Sequence, residues 1–89
     1  MTQKKFLISS TFPVMKEKYA NQYKLIGEKI LTLRKMKNWS QDDLANHCET
    51  VNRAKISKME NARVDYMFST LLEVCDALEV NIAEVVGEK

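Results

Sequence analysis

The sequence contains few of the residues that make tight turns and covalent cross-links. Its 89 residues include two glycines, one proline and two cysteines, with 45% hydrophobic and 29% charged residues. This composition is typical of a packed helical protein and argues against a disordered chain or a small all-β domain. Cys48 and Cys75 lie apart in apolar helical patterns, not in a CxxC pair. We therefore expect buried, reduced thiols, which favour the cytoplasm, and neither a disulfide nor a metal site.

Long hydrophobic runs and catalytic groupings are also missing. No apolar stretch is long enough to span a bilayer, and the apolar run after Lys5 breaks at Ser9, which argues against a signal peptide. The single histidine, His47, has no partner cluster, no nucleophile, base and orienting group occur together, and no metal-ligand spacing is present. A chain of this length has room for one small domain. The sequence therefore predicts no enzyme, no cofactor, no metal and no membrane partner.

Charges of the two signs are distributed unevenly along the chain. Residues 1–24 hold five lysines against one acid, for a net charge of +4, and residues 25–63 hold eight basic against five acidic side chains, for +3. Residues 64–89 hold one lysine against six carboxylates, for −5. One part of the protein can thus face a polyanion while the other faces away. From charge alone, the alternative is that these groups only solvate helix surfaces.

Apolar residues recur at helical spacing in five segments. We predict a helix from Tyr23 to about Lys37, short helices after Trp39 and after Val51, a helix from Phe68 to Leu78, and a short last helix after Val80 that Gly87 ends. The fourth segment carries the apolar stripe Phe68, Leu71, Leu72, Cys75 and Leu78 and is the expected core helix. We expect residues 1–22 to be a loose arm or a backward extension of the first helix, and residues 23–89 to form the domain.

Three of the predicted helices share a start signal. Ser40, Asn52 and Asn81 are residues that cap helix N-termini, and Asp43 and Glu84 stand where they can complete a capping box.

The third predicted helix is unusually polar. Only Ala54, Ile56 and Met59 can pack inward, and its other residues are basic or polar. Two short helices joined by a tight turn, the second of them polar, are the parts of a helix-turn-helix, in which the first helix braces against the DNA backbone and the second lies in the major groove. Short helix pairs are also common in small all-α domains, so spacing alone leaves both interpretations open.

Four segments carry a more specific pattern. They are residues 26–34 (IGEKILTLR), 39–45 (WSQDDLA), 53–60 (RAKISKME) and 70–80 (TLLEVCDALEV). Over roughly residues 25–86 the chain resembles the Cro and lambda-repressor family, also called xenobiotic-response-element-type (XRE) helix-turn-helix regulators. SQxxLA followed by ISxxE is the specific part of this pattern. The resemblance implies a compact all-α, five-helix, lambda-repressor-like DNA-binding domain.

The chain departs from the family pattern at three places. The family's turn glycine is replaced by Glu49 and Thr50, and the turn is one residue longer. Ala62 stands where the family has a second glycine, and Tyr66 where it has a proline before the fourth helix. Because a left-handed backbone at Ala62 would be strained, we expect the loop after the third helix to take another path.

The resemblance implies roles for individual residues. Contacts to base edges are implied for Arg53, Ala54, Lys55 and Lys58. Contacts to phosphates, which fix register without reading sequence, are implied for Gln41, Asn52, Ser57, Asn61 and Arg63. Arg34 and Glu60 are expected to form an ion pair that ties the first helix to the end of the third. For each basic side chain the alternative is a solvated surface charge.

The implied function is sequence-specific binding of a double-stranded DNA operator by a cytoplasmic, nucleoid-associated transcriptional regulator. Because one small module reads only a few base pairs, we expect a dimeric repressor. The homodimer interface is expected at Val80, Ile82, Val85 and Val86, which offer apolar surface. The alternative function is an antitoxin that binds a protein toxin through its amino-terminal arm or acidic face and regulates its own synthesis through the same domain. A restriction-modification controller is a third possibility within DNA binding.

Overall fold

The structure, a computed structural model, describes residues 17–87. A 3-10 turn at Glu17–Tyr19 leads into five helices: α1 (Ala20–Met36), α2 (Gln41–Asn46), α3 (Arg53–Glu60), α4 (Phe68–Leu78) and α5 (Ile82–Val86). Over these residues the chain forms no β-strand, and the predicted all-α, five-helix class is confirmed. Residues 20–22 extend the first helix backward. The remainder of the expected arm, residues 1–16, lies outside the described residues.

All five helices contribute to one core. Its buried side chains are Ile30 from α1, Leu44 from α2, Val51 from the turn, Ile56 and Met59 from α3, Leu71, Val74, Cys75, Ala77 and Leu78 from α4, and Val85 from α5. Helix α4 supplies the largest share, as its apolar pattern predicted. The expected inward stripe was partly wrong, however, because Phe68 and Leu72 are 63% and 38% exposed. Phe68 is the first residue of α4 and lies outside the core. The buried face of the helix is centred on Leu71, Val74 and Leu78.

The predicted start signals are formed. The Ser40 hydroxyl accepts a hydrogen bond from the Asp43 amide at 3.0 Å, and the Asp43 carboxylate accepts one from the Ser40 amide at 2.8 Å. These bonds lower the pKa of Asp43, with the bond from the Ser40 amide as the largest cause. At α5, the Glu84 carboxylate accepts a bond from the Asn81 amide at 3.2 Å. These contacts fix where α2 and α5 begin, since they satisfy amides that have no partner within the helix.

Three helices end on a left-handed residue that is not glycine. The angle φ is +62° at Asn38, +53° at Ala62 and +65° at Glu79. After each of them, the next amide donates to a carbonyl five residues earlier, as in the bond from Arg63 to Lys58 at 2.9 Å. This is the Schellman pattern, which usually places glycine at the left-handed position.

The expectation that the chain leaves α3 by another path is therefore wrong. The Ala62 amide donates to the Met59 carbonyl at 3.2 Å, beside the bond from Arg63 to Lys58. The chain keeps the left-handed ending even though an alanine there costs about 1–2 kcal/mol relative to its preferred conformations. The two bonds satisfy carbonyls at the end of α3 and offset this strain.

Because Gly27 has no side chain, the backbone of α1 packs directly against the backbone at the end of α3. It is buried, and a Cβ placed on it would lie 2.5 Å from the Glu60 carbonyl oxygen and 2.6 Å from that of Met59. No side chain fits at such distances. The close contact sets the position of α3 relative to α1.

Candidate nucleic-acid interface

Helix α3 has one buried face and one exposed face. Ile56 and Met59 have no exposed surface, whereas Arg53, Ala54 and Lys58 are exposed and Lys55 is half-buried. Ala54, which the sequence allowed on either face, lies on the exposed one. Two fully buried anchors hold a helix whose remaining surface is polar. Such a helix can present side chains to a groove without giving up its core contacts.

The start of α3 is fixed by the two residues before it. Val51 is 7% exposed and belongs to the core, and the side-chain oxygen of Asn52 accepts a hydrogen bond from the Lys55 amide at 2.9 Å. Arg53 is therefore the first helical residue, and its side chain leaves from the first turn. An arginine in this position carries two parallel donors that match the O6 and N7 acceptors of guanine.

Arg53 has an acidic neighbour on α2. Its Nε lies 3.6 Å from an Asp42 carboxylate oxygen, and the two side chains are 59% and 72% exposed. An ion pair this long and this exposed contributes about 0–1 kcal/mol. Asp42 can orient Arg53 toward α2, but a DNA acceptor can displace it at little cost. No sequence pattern singles out Asp42, because the contact joins two helices.

A buried ion pair links α1 to the end of α3. Arg34 donates from Nε and Nη2 to the two carboxylate oxygens of Glu60, at 2.7 and 2.9 Å, and from Nη1 to the Trp39 carbonyl at 2.8 Å. The bonds to Glu60 raise the pKa of Arg34 above its ordinary value. The structure thus brings together the two residues for which an ion pair was expected.

Gln41 takes part in the same network. Its side-chain nitrogen donates to the Glu60 carboxylate at 2.9 Å, and the residue is half-buried. One of its two donors is therefore engaged inside the protein, which the sequence did not reveal. The other donor and the amide oxygen give Gln41 the means to contact a phosphate from the start of α2.

The other residues expected at phosphates lie around the end of α3. Asn61 and Arg63 are exposed, and Ser57 is half-buried. The Asn61 side-chain nitrogen donates to the Ser57 carbonyl at 2.8 Å, which closes the helix and holds the Asn61 side chain against it. Arg63 follows the left-handed Ala62, so the Schellman ending determines where its chain leaves the helix.

The turn between α2 and α3 is held by a residue that the sequence analysis missed. Glu73 of α4 accepts hydrogen bonds from the amides of Glu49 and Thr50 at 2.5 and 2.6 Å, and from the Thr50 hydroxyl at 2.6 Å. These bonds lower the pKa of Glu73, with the Thr50 hydroxyl as the largest cause. Neither Glu49 nor Thr50 has a positive φ, so the turn needs no glycine at these positions.

The described residues also bear on metal binding, thiol reactivity and the spanning of a membrane. Between residues 17 and 87, no three His, Cys, Asp or Glu side chains are grouped so that they can hold a metal ion. Cys48 and Cys75 are free thiols, and burial raises the pKa of each to about 11. His47 stacks on Trp39, with ring centroids 4.1 Å apart. None of the helices described has the length and hydropathy of a membrane span.

Comparison with known proteins places this arrangement in a family. A family model described as a Cro/C1-type HTH DNA-binding domain matches residues 29–87, which include α2, α3 and the turn between them. The chain belongs to the Cro/C1-type helix-turn-helix family. In this Cro/C1-type chain, α3 occupies the place of the second motif helix. The matched range also contains every residue for which the sequence implied a DNA contact.

The fold of the Cro/C1-type chain is shared by a solved structure. A crystal structure of a hypothetical transcription factor, NHTF from Neisseria, is similar with a TM-score of 0.70 and 23% sequence identity, and the similarity covers 88% of each chain. No curated protein sequence matches the chain.

The residues expected at a dimer interface divide into two groups. Val85 is 2% exposed and packs in the core, so the expectation that it offers surface to a partner is wrong. Val80 and Ile82 are half-buried against the same core, and only Val86, at 45%, is well exposed. The apolar surplus seen in the sequence is largely used within the chain, because this small core needs the apolar residues of its last helix.

Proposed function

We propose that the protein is a transcriptional regulator that binds a specific double-stranded DNA sequence by placing α3 in the major groove. The observation that carries this proposal is the division of α3 into a face anchored by Ile56 and Met59 and an exposed face with Arg53, Ala54 and Lys58. The buried pair of Arg34 and Glu60 holds the C-terminal end of the same helix. A rigid helix with polar side chains projecting from it is what base reading requires.

The residues expected to contact DNA divide by position into those that read bases and those that bind phosphates. Arg53, Ala54, Lys55 and Lys58 leave the helix where base edges lie, with Lys55 at the flank. Gln41, Asn52, Asn61 and Arg63 are at helix ends or beyond them, and Ser57 lies within α3 one turn before its end. We expect these five residues to contact the phosphate backbone and fix the register of the complex. Because its ion pair with Asp42 is long and exposed, Arg53 can leave that pair to contact guanine.

We also propose that the regulator acts as a homodimer. Leu25 on α1 and Val86 on α5 are each 45% exposed and line the same surface groove, which continues past Tyr19 and Phe68. This surface is formed by the 3-10 turn, α1, α4 and α5, and no residue of α3 lines it. A symmetric dimer would place its two recognition helices about 34 Å apart, one turn of the duplex. Such a dimer would repress by occupying its operator.

Selection of bound sequences from random duplex DNA tests the proposal. The protein should enrich a palindromic site with two half-sites one helical turn apart, and Arg53→Ala should lose the preference at one position of each half-site. Lys35→Ala is the control, because Lys35 is an exposed basic residue of α1, outside the motif. No enrichment with the unmodified protein would contradict specific binding, and enrichment of a single half-site would contradict the dimer.

A second candidate function is an antitoxin that binds a protein toxin and regulates its own synthesis. The exposed apolar side chains of Met67, Phe68 and Leu72 at the start of α4 favour a protein partner on that side. Expression together with the neighbouring genes, followed by purification through this chain, distinguishes the two candidates. A stoichiometric partner that Met67→Ser releases would support the antitoxin, because Met67 is exposed and does not line the groove proposed for the homodimer. Purification of the chain alone, still selective for DNA, would support the regulator.

A further inference from the structure

Few residues separate the turn between α2 and α3 from the start of α3. Only Val51 and Asn52 separate Thr50 from the first residue of α3, and Val51 is fixed in the core. The two amides just before them, those of Glu49 and Thr50, donate to a side chain of α4. A displacement of the turn would therefore reach the Asn52 cap and the first turn of α3. The position of that turn depends on a helix outside the motif.

We propose that Glu73 is a positioning residue for DNA recognition, which sets the start of α3 by holding the turn and so determines how Arg53 enters the groove. The inference rests on the proposed function of α3. One carboxylate accepts three hydrogen bonds from two consecutive residues, all between 2.5 and 2.6 Å. Hydrogen bonds to a charged acceptor are about twice as strong as neutral ones, so this contact is well suited to hold an exposed turn.

Because Glu73 is negatively charged, the two possible roles predict opposite changes in DNA affinity when its side chain is removed. An acidic group near the DNA repels phosphates, so its removal should strengthen binding if it serves only as a surface charge. Neighbouring acids add to the repulsion of phosphates, because Glu49 and Asp76 line the same surface hollow as Glu73. No lysine or arginine among the described residues lines this hollow. If Glu73 positions the turn, its removal should weaken specific binding in spite of the charge that is lost.

The experiment compares Glu73→Ala with the matched variant Asp76→Ala, which removes a carboxylate three residues further along the same helix. Affinity is measured for the selected operator and for an unrelated duplex at one salt concentration. We expect Glu73→Ala to bind the operator roughly tenfold more weakly, about 1.4 kcal/mol, and the unrelated duplex equally or more tightly. Asp76→Ala should bind both duplexes as tightly as the parent or more tightly. Operator binding by Glu73→Ala at or above the parent's affinity would overturn the proposal.

A second variant and a measurement on the free protein distinguish the loss of the turn contacts from a general loss of folding. Thr50→Val removes one of the three bonds at an exposed site and should weaken operator binding in the same direction, by roughly threefold. In the free protein, amide hydrogen exchange at Glu49 and Thr50 should become at least about tenfold faster in Glu73→Ala, while the core amide of Leu78 stays protected. Unchanged exchange at the two turn amides would also overturn the proposal.

The outcomes separate this inference from the proposed function. A parent protein that shows no sequence preference contradicts DNA recognition itself. A specific parent with an equally specific Glu73→Ala variant contradicts only the positioning role.

Discussion

Arg34 and Glu60 form a two-pronged ion pair whose side chains are only 8% and 4% exposed. The guanidinium and the carboxylate are joined by two bonds, and the third bond of Arg34, to the Trp39 carbonyl, leaves little of the guanidinium without a partner. The pair connects the last turn of α1 with the last residue of α3. It therefore contributes both to the fold and to the position of α3.

Arg34→Ala should destabilise the protein strongly. The substitution leaves the Glu60 carboxylate buried without its cation, which typically costs roughly 3–5 kcal/mol. Thermal unfolding followed by circular dichroism measures the loss. Lys35→Ala, at the exposed neighbouring position, should change stability by less than about 0.5 kcal/mol. Equal melting temperatures for the two variants would show that the pair contributes little.

Ala62→Gly should stabilise the protein. The left-handed backbone at Ala62 costs an L-residue about 1–2 kcal/mol, and glycine adopts it without that strain, although its greater freedom in the unfolded chain returns part of the gain. We expect a net gain of about 1 kcal/mol in denaturant unfolding. Ala54→Gly, at the exposed second residue of α3, is the control and should lose up to about 1 kcal/mol. A loss of stability in both variants would mean that Ala62 is not left-handed in solution.

Gly27→Ala should destabilise the protein although alanine is the better helix former. The added methyl group would meet the Met59 and Glu60 carbonyl oxygens at about 2.5 Å, so α1 and α3 would have to separate. Overpacking of this kind typically costs about 1–3 kcal/mol. Thr32→Ala, at an exposed position of the same helix, should be neutral or gain about 0.5 kcal/mol. A stabilised Gly27→Ala variant would contradict the close crossing of the two helices.

The contribution of Glu73 to stability should disappear in acid. Its pKa in the folded protein is lowered below the ordinary value of 4.5 by hydrogen bonds, first from the hydroxyl and amide of Thr50. Because the folded pKa is the lower one, the stabilisation is complete above about pH 4.5 and is lost as the pH falls through the folded value. Glu73→Gln should therefore melt below the parent at neutral pH, and the gap should close in acid. A gap that stays constant with pH would show that the charge is not involved.

Much of the fold could be predicted because its signals are local. Capping by Ser40 and Asn52 depends on residues three positions apart, and the apolar face of α4 has the period of a helix. The backbone conformation at Ala62 was predicted wrongly for a physical reason. The sequence shows that alanine disfavours a left-handed backbone, but not that the two hydrogen bonds of the Schellman ending outweigh the strain.

The parts of the site that were missed depend on contacts between distant segments. Glu73 reaches a turn 23 residues earlier, and Gln41 donates to Glu60 19 residues later. Glu73 stands in a helical pattern as one more exposed acid, and no spacing rule connects it with Thr50. Val85 was misplaced for the same reason, since an apolar residue late in the chain can serve either a partner or the chain's own core.

Binding of single-base operator variants by Arg53→Ala and Arg63→Ala, at several salt concentrations, tests most directly whether α3 reads the sequence. Arg53 begins the helix and should contact a guanine, a bidentate contact worth about 1–3 kcal/mol against a wrong base. Arg63 follows the helix and should contact only the backbone. Arg53→Ala should lose the base preference at one position of each half-site. Arg63→Ala should instead weaken binding to all variants and lower the salt slope by about one unit. An even loss across the panel for Arg53→Ala, with altered base preference for Arg63→Ala, would contradict the placement of α3 in the groove.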